Sequence, residues 1–124
     1  MIISAKGLDV YKLAFTTTLE IYKLTELFPK SELFGLVSQM RRAAISINSN
    51  LIEGSSRGTP GEYKKFVKIS LGSAEELKYQ IEISHALKFI KDLDFTNLFT
   101  NLERICKMLT KLTISLELKI TENG

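Results

Sequence analysis

At 124 residues and 44% hydrophobic content, the chain is sized for one compact domain, residues 1–124, with a single core. One cysteine, Cys106, excludes an internal disulfide and a cysteine metal cluster; no apolar run is long enough for a bilayer, and MIISAKGLDVYK lacks the features of a signal peptide, so the cytoplasm is expected. The net charge of +3 is uneven: residues 39–68 carry Arg41, Arg42, Arg57, Lys64, Lys65 and Lys68 against only Glu53 and Glu62, a local basic field of the kind a phosphate backbone attracts.

Residues 8–28 repeat apolar side chains at helical spacing through Tyr11, Ala14, Phe15, Leu19, Ile21, Tyr22, Leu24 and Phe28, and Pro29 ends that helix. A second helix, 32–56, carries a heptad stripe of Leu33, Val37, Met40, Ala44, Ile47 and Leu51, with Ser31 as its expected N-cap and the glycine-bearing GSSRGTPG as its stop. The third, 60–89, opens on a capping box of Thr59 and Glu62 with Pro60 at the first helical position. Its inner face has a waist of small residues, Ser70, Gly72, Ser73 and Ala74, which is expected to pack on Ala43, Ala44 and Ser46. The fourth, 95–120, is expected to be capped by Asp94 and repeats Phe95, Leu98, Leu102, Ile105, Leu109, Leu112 and Leu116 without a miss. Strand signals are absent. Short links then predict an all-α fold, an antiparallel up-down-up-down four-helix bundle.

The second helix is unusually polar for a core element. Arg41, Arg42, Ser46, Asn48, Asn50 and Glu53 lie within four turns, and each buried polar atom left without a partner costs about 1–3 kcal/mol. Arg41 and Arg42 diverge by about 100°. One is expected to pair with Glu53, Glu75 or Glu76, inside the subunit or across an interface, while the other joins Lys64, Lys65 and Lys68. Ile45 and Ile52 form an apolar strip off the main stripe, where a monomer would show charge, and Asn48 beside them can fix register and oligomeric state.

Enzyme chemistry finds little support. Glu82 and His85 have the Glu-x-x-His spacing of bundle metal sites, but His85 is the only histidine and the remaining ligands are missing. A Cys106–His85 nucleophilic pair fails on distance, because a hairpin turning near Asp92 leaves them about 9 Å apart along the axis. Residues 53–61 lack the Gly-Lys-Ser/Thr ending of a phosphate loop and follow no strand. No cofactor, metal or catalytic residue is expected.

The runs SQMRRAAISINSNLIEG and GEYKKFVKISLGSAEEL resemble the small four-helix-bundle proteins encoded in 23S rRNA intervening sequences, and the resemblance extends from GLDVYKLA to the last leucine-rich helix. Those proteins are similar in turn to the accessory variability determinant of diversity-generating retroelements. The resemblance implies a homopentameric barrel with a basic surface, RNA as a ligand and a reverse transcriptase as a partner. Arg41, Arg42, Ser46, Asn50, Glu53 and Gly54 match the family pattern. Tyr11 stands where the family often has Trp, Asn48 where it has Pro, and the link from His85 to Asp94 lacks the glycine usual before the fourth helix. Two expectations follow: a non-enzymatic oligomer binding RNA or DNA through the six cations of residues 39–68, or a scaffold holding a protein partner through Ile45 and Ile52 or the fourth helix.

Overall fold

The computed structural model describes residues 4–123; the other ends of the expected 1–124 domain lie outside the described residues. Among them are four α-helices and no strand: α1 (Asp9–Thr25), α2 (Ser38–Ser56), α3 (Pro60–Ala86) and α4 (Asp92–Asn123). A 3-10 turn, Ala5–Gly7, precedes α1, and a second, Lys30–Glu32, leads into a π-helical turn, Leu33–Val37.

The heptad stripes are the core. Val37, Met40, Ala44, Ile47 and Leu51 of the second stripe are buried, as are Leu98, Leu102, Ile105, Leu109 and Leu116 of the fourth. Leu33 departs from its stripe and is 49% exposed. The cause is Gly35, whose backbone (φ −109°, ψ −108°) is not helical and kinks the chain ahead of α2. The kink also removes Ser31 from the N-cap it was expected to hold: Ser31 sits in the 3-10 turn, and the Glu32 carboxylate accepts the Leu36 N–H instead, at 3.4 Å.

Polar contacts at three levels tie α1 to α2. Asn48 Nδ2 donates to the Tyr11 carbonyl (2.9 Å) and Arg41 Nε to Thr25 Oγ1 (3.0 Å), while the Thr18 hydroxyl shares its proton between the Ala14 carbonyl of its own helix (2.8 Å) and the Ala44 carbonyl of α2 (3.3 Å). The α2–α3 seam is closer packed. Ser70 Oγ donates to the Ile47 carbonyl (2.7 Å) and Ser46 Oγ meets Ser73 Oγ (2.8 Å), so Ser46, Ser70 and Ser73 of the expected small-residue waist do meet across the seam. Gly72 is not part of it: it is exposed, and a Cβ added there would find nothing within 4 Å. The tightest approach is at Gly54, where an added Cβ would lie 2.7 Å from Phe66 Cβ and 3.0 Å from Tyr63 Cδ1.

Helix boundaries follow local chemistry. Half of the expected capping box forms at α3: Thr59 Oγ1 accepts the Glu62 N–H at 3.3 Å, while the Glu62 carboxylate turns toward Lys65, 3.8 Å away. Gly58 adopts a positive φ of 86°, which suits a residue without Cβ just past a helix end. At the other end α3 closes in a Schellman motif: Phe89 N–H reaches the Ser84 carbonyl (2.8 Å) and Lys88 N–H the His85 carbonyl (2.9 Å). Lys88 therefore sits at φ 66°, the left-handed position where glycine is favoured. Lys88→Gly is expected to raise stability by about 1 kcal/mol, read as a higher urea midpoint at unchanged slope. Asp94 is not a cap, because α4 begins at Asp92 and Asp94 lies in its first turn, where a carboxylate suits the helix dipole.

Candidate interaction surfaces

The polar groups of α2 are mostly spent inside the subunit. Arg41 lies half-buried against α1: besides Thr25, its guanidinium donates to the Tyr22 carbonyl and to Glu26 Oε1, both at 3.4 Å, and stacks 4.5 Å from the centre of the Tyr22 ring. Its carboxylate partner is thus Glu26, not Glu53, Glu75 or Glu76. Asn50 Nδ2 donates to the Ser46 carbonyl (2.8 Å) and Ser46 Oγ (2.9 Å), extending the serine pair across the α2–α3 seam. Asn48 points at α1, with its amide oxygen buried and unpartnered among the described residues.

The remaining acids also find partners other than the arginine pair. Glu53 accepts from Arg57, one turn on, at 2.6 and 3.1 Å. Glu75 lies 3.8 Å from Lys78, and the Cys106 thiol, whose pKa is pushed up to about 12 by burial and then by the nearby Glu75 carboxylate, stays protonated. Glu76 accepts from Gln80 Nε2 at 3.2 Å. His85 Nε2 meets Asp92 Oδ1 at 2.7 Å and its ring stacks 4.1 Å from Phe95. Cys106 is eleven residues beyond Phe95, about 16 Å along α4, so the two do not meet. Among the described residues, no group of three or more His, Cys, Asp or Glu could hold a metal ion.

The six cations do not form one patch. Lys64, Lys65 and Lys68 line a shallow α3–α4 groove with Glu117 and Ile120. Lys64 pairs with Glu117 and Lys65 with Glu62 at 3.8 Å. Arg57 is held by Glu53 and lies 5.1 Å over the Phe66 ring. Lys68 and Arg42 are exposed and make no ion pair among the described residues, but Arg42 belongs to the α2 crest, away from the lysines. The field of any one copy is therefore partly neutralised. Exposed pairs of this kind are worth only about 0–1 kcal/mol, so a phosphate can displace the carboxylates at small cost.

A larger feature was legible in the sequence only through Ile45 and Ile52, which are exposed as expected. Phe34, next to the kink, is 93% exposed, and it borders a groove of about 720 Å³ whose apolar side is Tyr22, Leu33, Val37 and Ile45 and whose polar side includes Arg41, Arg42 and Ser46. Phe15 and Leu19 continue the exposed apolar row of α1, and Ile52 that of α2. Phe15, Leu19 and Tyr22 belong to the single apolar repeat read for the first helix, but they face outward, at 52%, 52% and 36% exposure. Monomeric proteins rarely leave so continuous an apolar face in water.

Fold and surface together define an all-helical, four-helix protein whose exposed features are an apolar face and scattered cations. The chain belongs to the 23S rRNA-intervening sequence protein family, whose model matches residues 6–111. Its fold is similar to the crystal structure of a protein of unknown function from the S23 ribosomal protein family of Bacteroides thetaiotaomicron. That match has a TM-score of 0.77 at 20% identity, over 84% of this chain and 97% of that one. No curated protein matches the sequence. No helix among the described residues is long and apolar enough to cross a membrane.

Proposed function

We propose that the protein is a non-enzymatic, antiparallel up-down-up-down four-helix bundle that assembles into a cytoplasmic homo-oligomer, a pentameric ring, and binds RNA by repetition of weak basic contacts. The observation that carries this reading is the exposed apolar face of α1, the kink and α2, crowned by Phe34 at 93% exposure. Removing each such side chain from water contributes about 1.5–3 kcal/mol, and a second copy presents the same surface.

One subunit offers few free cations, chiefly Lys68 and Arg42, with Lys64, Lys65 and Arg57 available by exchange of a carboxylate for a phosphate. Alone that is a weak site. Repeated around a ring, the same contacts become intramolecular after the first, and avidity rises by orders of magnitude without new chemistry. The family's connection to 23S rRNA intervening sequences favours RNA over DNA as the ligand.

Gel-shift titrations on RNA at about 50 and 200 mM salt test the binding, since each phosphate neutralised steepens the salt dependence. Lys65→Glu with Lys68→Glu is expected to weaken binding at least tenfold and flatten the salt slope. Absence of binding at low salt, or indifference to the double variant, would remove the RNA reading. Stoichiometric recovery of a protein partner such as a reverse transcriptase after nuclease treatment would replace it with a scaffold role. The neutralisation of Arg57, Lys64 and Lys65 is what favours that second reading.

A further inference from the structure

A second groove, of about 410 Å³, lies between α2 and α3 and is lined by Gln39 and Arg42 on one side and Glu76, Tyr79, Gln80 and Ile83 on the other. It contains opposite charges that do not meet. Arg42 and Glu76 face the same space, yet neither makes an ion pair among the described residues. Tyr79 stands beside them 64% exposed, its ring open to a flat partner. Gln80, only 5% exposed, donates from Nε2 to Glu76 Oε1 at 3.2 Å, which fixes both the amide and the carboxylate, while its own Oε1 is buried without a donor among the described residues.

We propose that this groove holds a guanine base of single-stranded RNA, with Glu76 reading its Watson–Crick edge, Tyr79 stacking on its face and Arg42 supplying the cation for its O6/N7 side or its phosphate. The inference rests on the RNA-binding reading and adds base selectivity to it. The chemistry singles out guanine because its N1–H and 2-amino group are two adjacent donors, matched by the two oxygens of one carboxylate. Adenine and cytosine place an acceptor nitrogen beside the amino group, and uracil has a single donor between two carbonyls. Stacking on an exposed tyrosine accepts any base, so selectivity comes from Glu76 and affinity from Tyr79. Gln80 is a positioning residue, acting through the carboxylate it holds.

The test compares fluorescence anisotropy of the full-length protein on three labelled single strands that differ at one central base: guanine, inosine, which lacks the 2-amino group, and adenine. The wild-type protein is expected to bind the guanine strand about tenfold tighter than the other two, in the range one bidentate contact discriminates. Glu76→Gln is expected to erase that preference, because the amide keeps one acceptor for guanine's two donors and turns its new donor toward an acceptor nitrogen such as adenine N1. Gln80→Leu is expected to reduce the preference in the same way, and Tyr79→Ala to weaken all three strands alike. Equal binding of guanine and inosine strands, or a preference that survives Glu76→Gln, overturns the inference and leaves the RNA reading standing. Failure to bind any strand overturns the RNA reading itself. Circular dichroism on each variant separates these outcomes from loss of fold.

Discussion

Gly54→Ala is expected to destabilise the protein by about 2–3 kcal/mol, although it adds one methyl group. The added carbon would sit 2.7 Å from Phe66 Cβ, 3.0 Å from Tyr63 Cδ1 and 3.2 Å from the Tyr63 carbonyl oxygen. None of these is the far end of a flexible chain, and one is backbone, so α2 and α3 must separate to admit it. Tyr63 is itself buried, with its hydroxyl unpartnered among the described residues and its pKa raised by burial, so movement of this ring disturbs the seam further. Gly72→Ala is the matched control. It lies mid-helix with open space around it and is expected to gain up to about 1 kcal/mol from helix propensity alone. Urea unfolding of both variants measures the contrast, and equal effects would show that close approach at Gly54 does not matter.

Phe34→Glu combined with Ile45→Glu is expected to convert the proposed oligomer to a monomer while preserving helix content. Each side chain withdrawn from a buried contact removes about 1.5–3 kcal/mol, so the pair lowers the association constant by about two to four orders of magnitude. Folding should be little affected, because both side chains point away from the core, at 93% and 46% exposure. Sedimentation velocity gives the answer directly. A wild-type monomer, or a double variant of unchanged size, would exclude this face as the assembly surface. If repetition supplies the RNA affinity, the monomer should also lose it, even though none of the residues 39–68 cations is altered.

Most of the fold was legible in the sequence because burial repeats on a helical period. The fourth stripe needs no tertiary information: each turn presents a leucine or isoleucine, and Leu98, Leu102, Ile105, Leu109 and Leu116 are buried accordingly. The N-cap at Thr59 was equally local. What escaped depended on geometry that spacing does not encode. Leu33 continues the second stripe in number but not in space, since one non-helical residue at Gly35 turns it out of the core. Of two glycines, the sequence pattern favoured Gly72 for the close approach because small residues flank it, whereas Gly54 faces the bulky Tyr63 and Phe66, which leave room for a hydrogen and nothing more. One arginine of the pair was matched to acids on α2 and α3, while the arginine that is held, Arg41, has its partners Tyr22, Thr25 and Glu26 at the end of α1. The cations were legible as a run along the chain, but helical rotation distributes them over separate surfaces.

On α1 the polar ties to α2 fall at Tyr11, Thr18 and Thr25, seven residues apart each time, and on α2 they fall at Asn48, Ala44 and Arg41. Apolar ridges alone would let α1 slip by a helical turn, about 5.4 Å, and still bury much of its surface. Such a slip would break these directional bonds together and leave Asn48 and Arg41 without their α1 partners, at about 1–3 kcal/mol for each uncompensated buried group. The ties thus work as a vernier. They separate the native register from its near neighbours on the energy landscape, so that the first helix arrives in one position or does not dock.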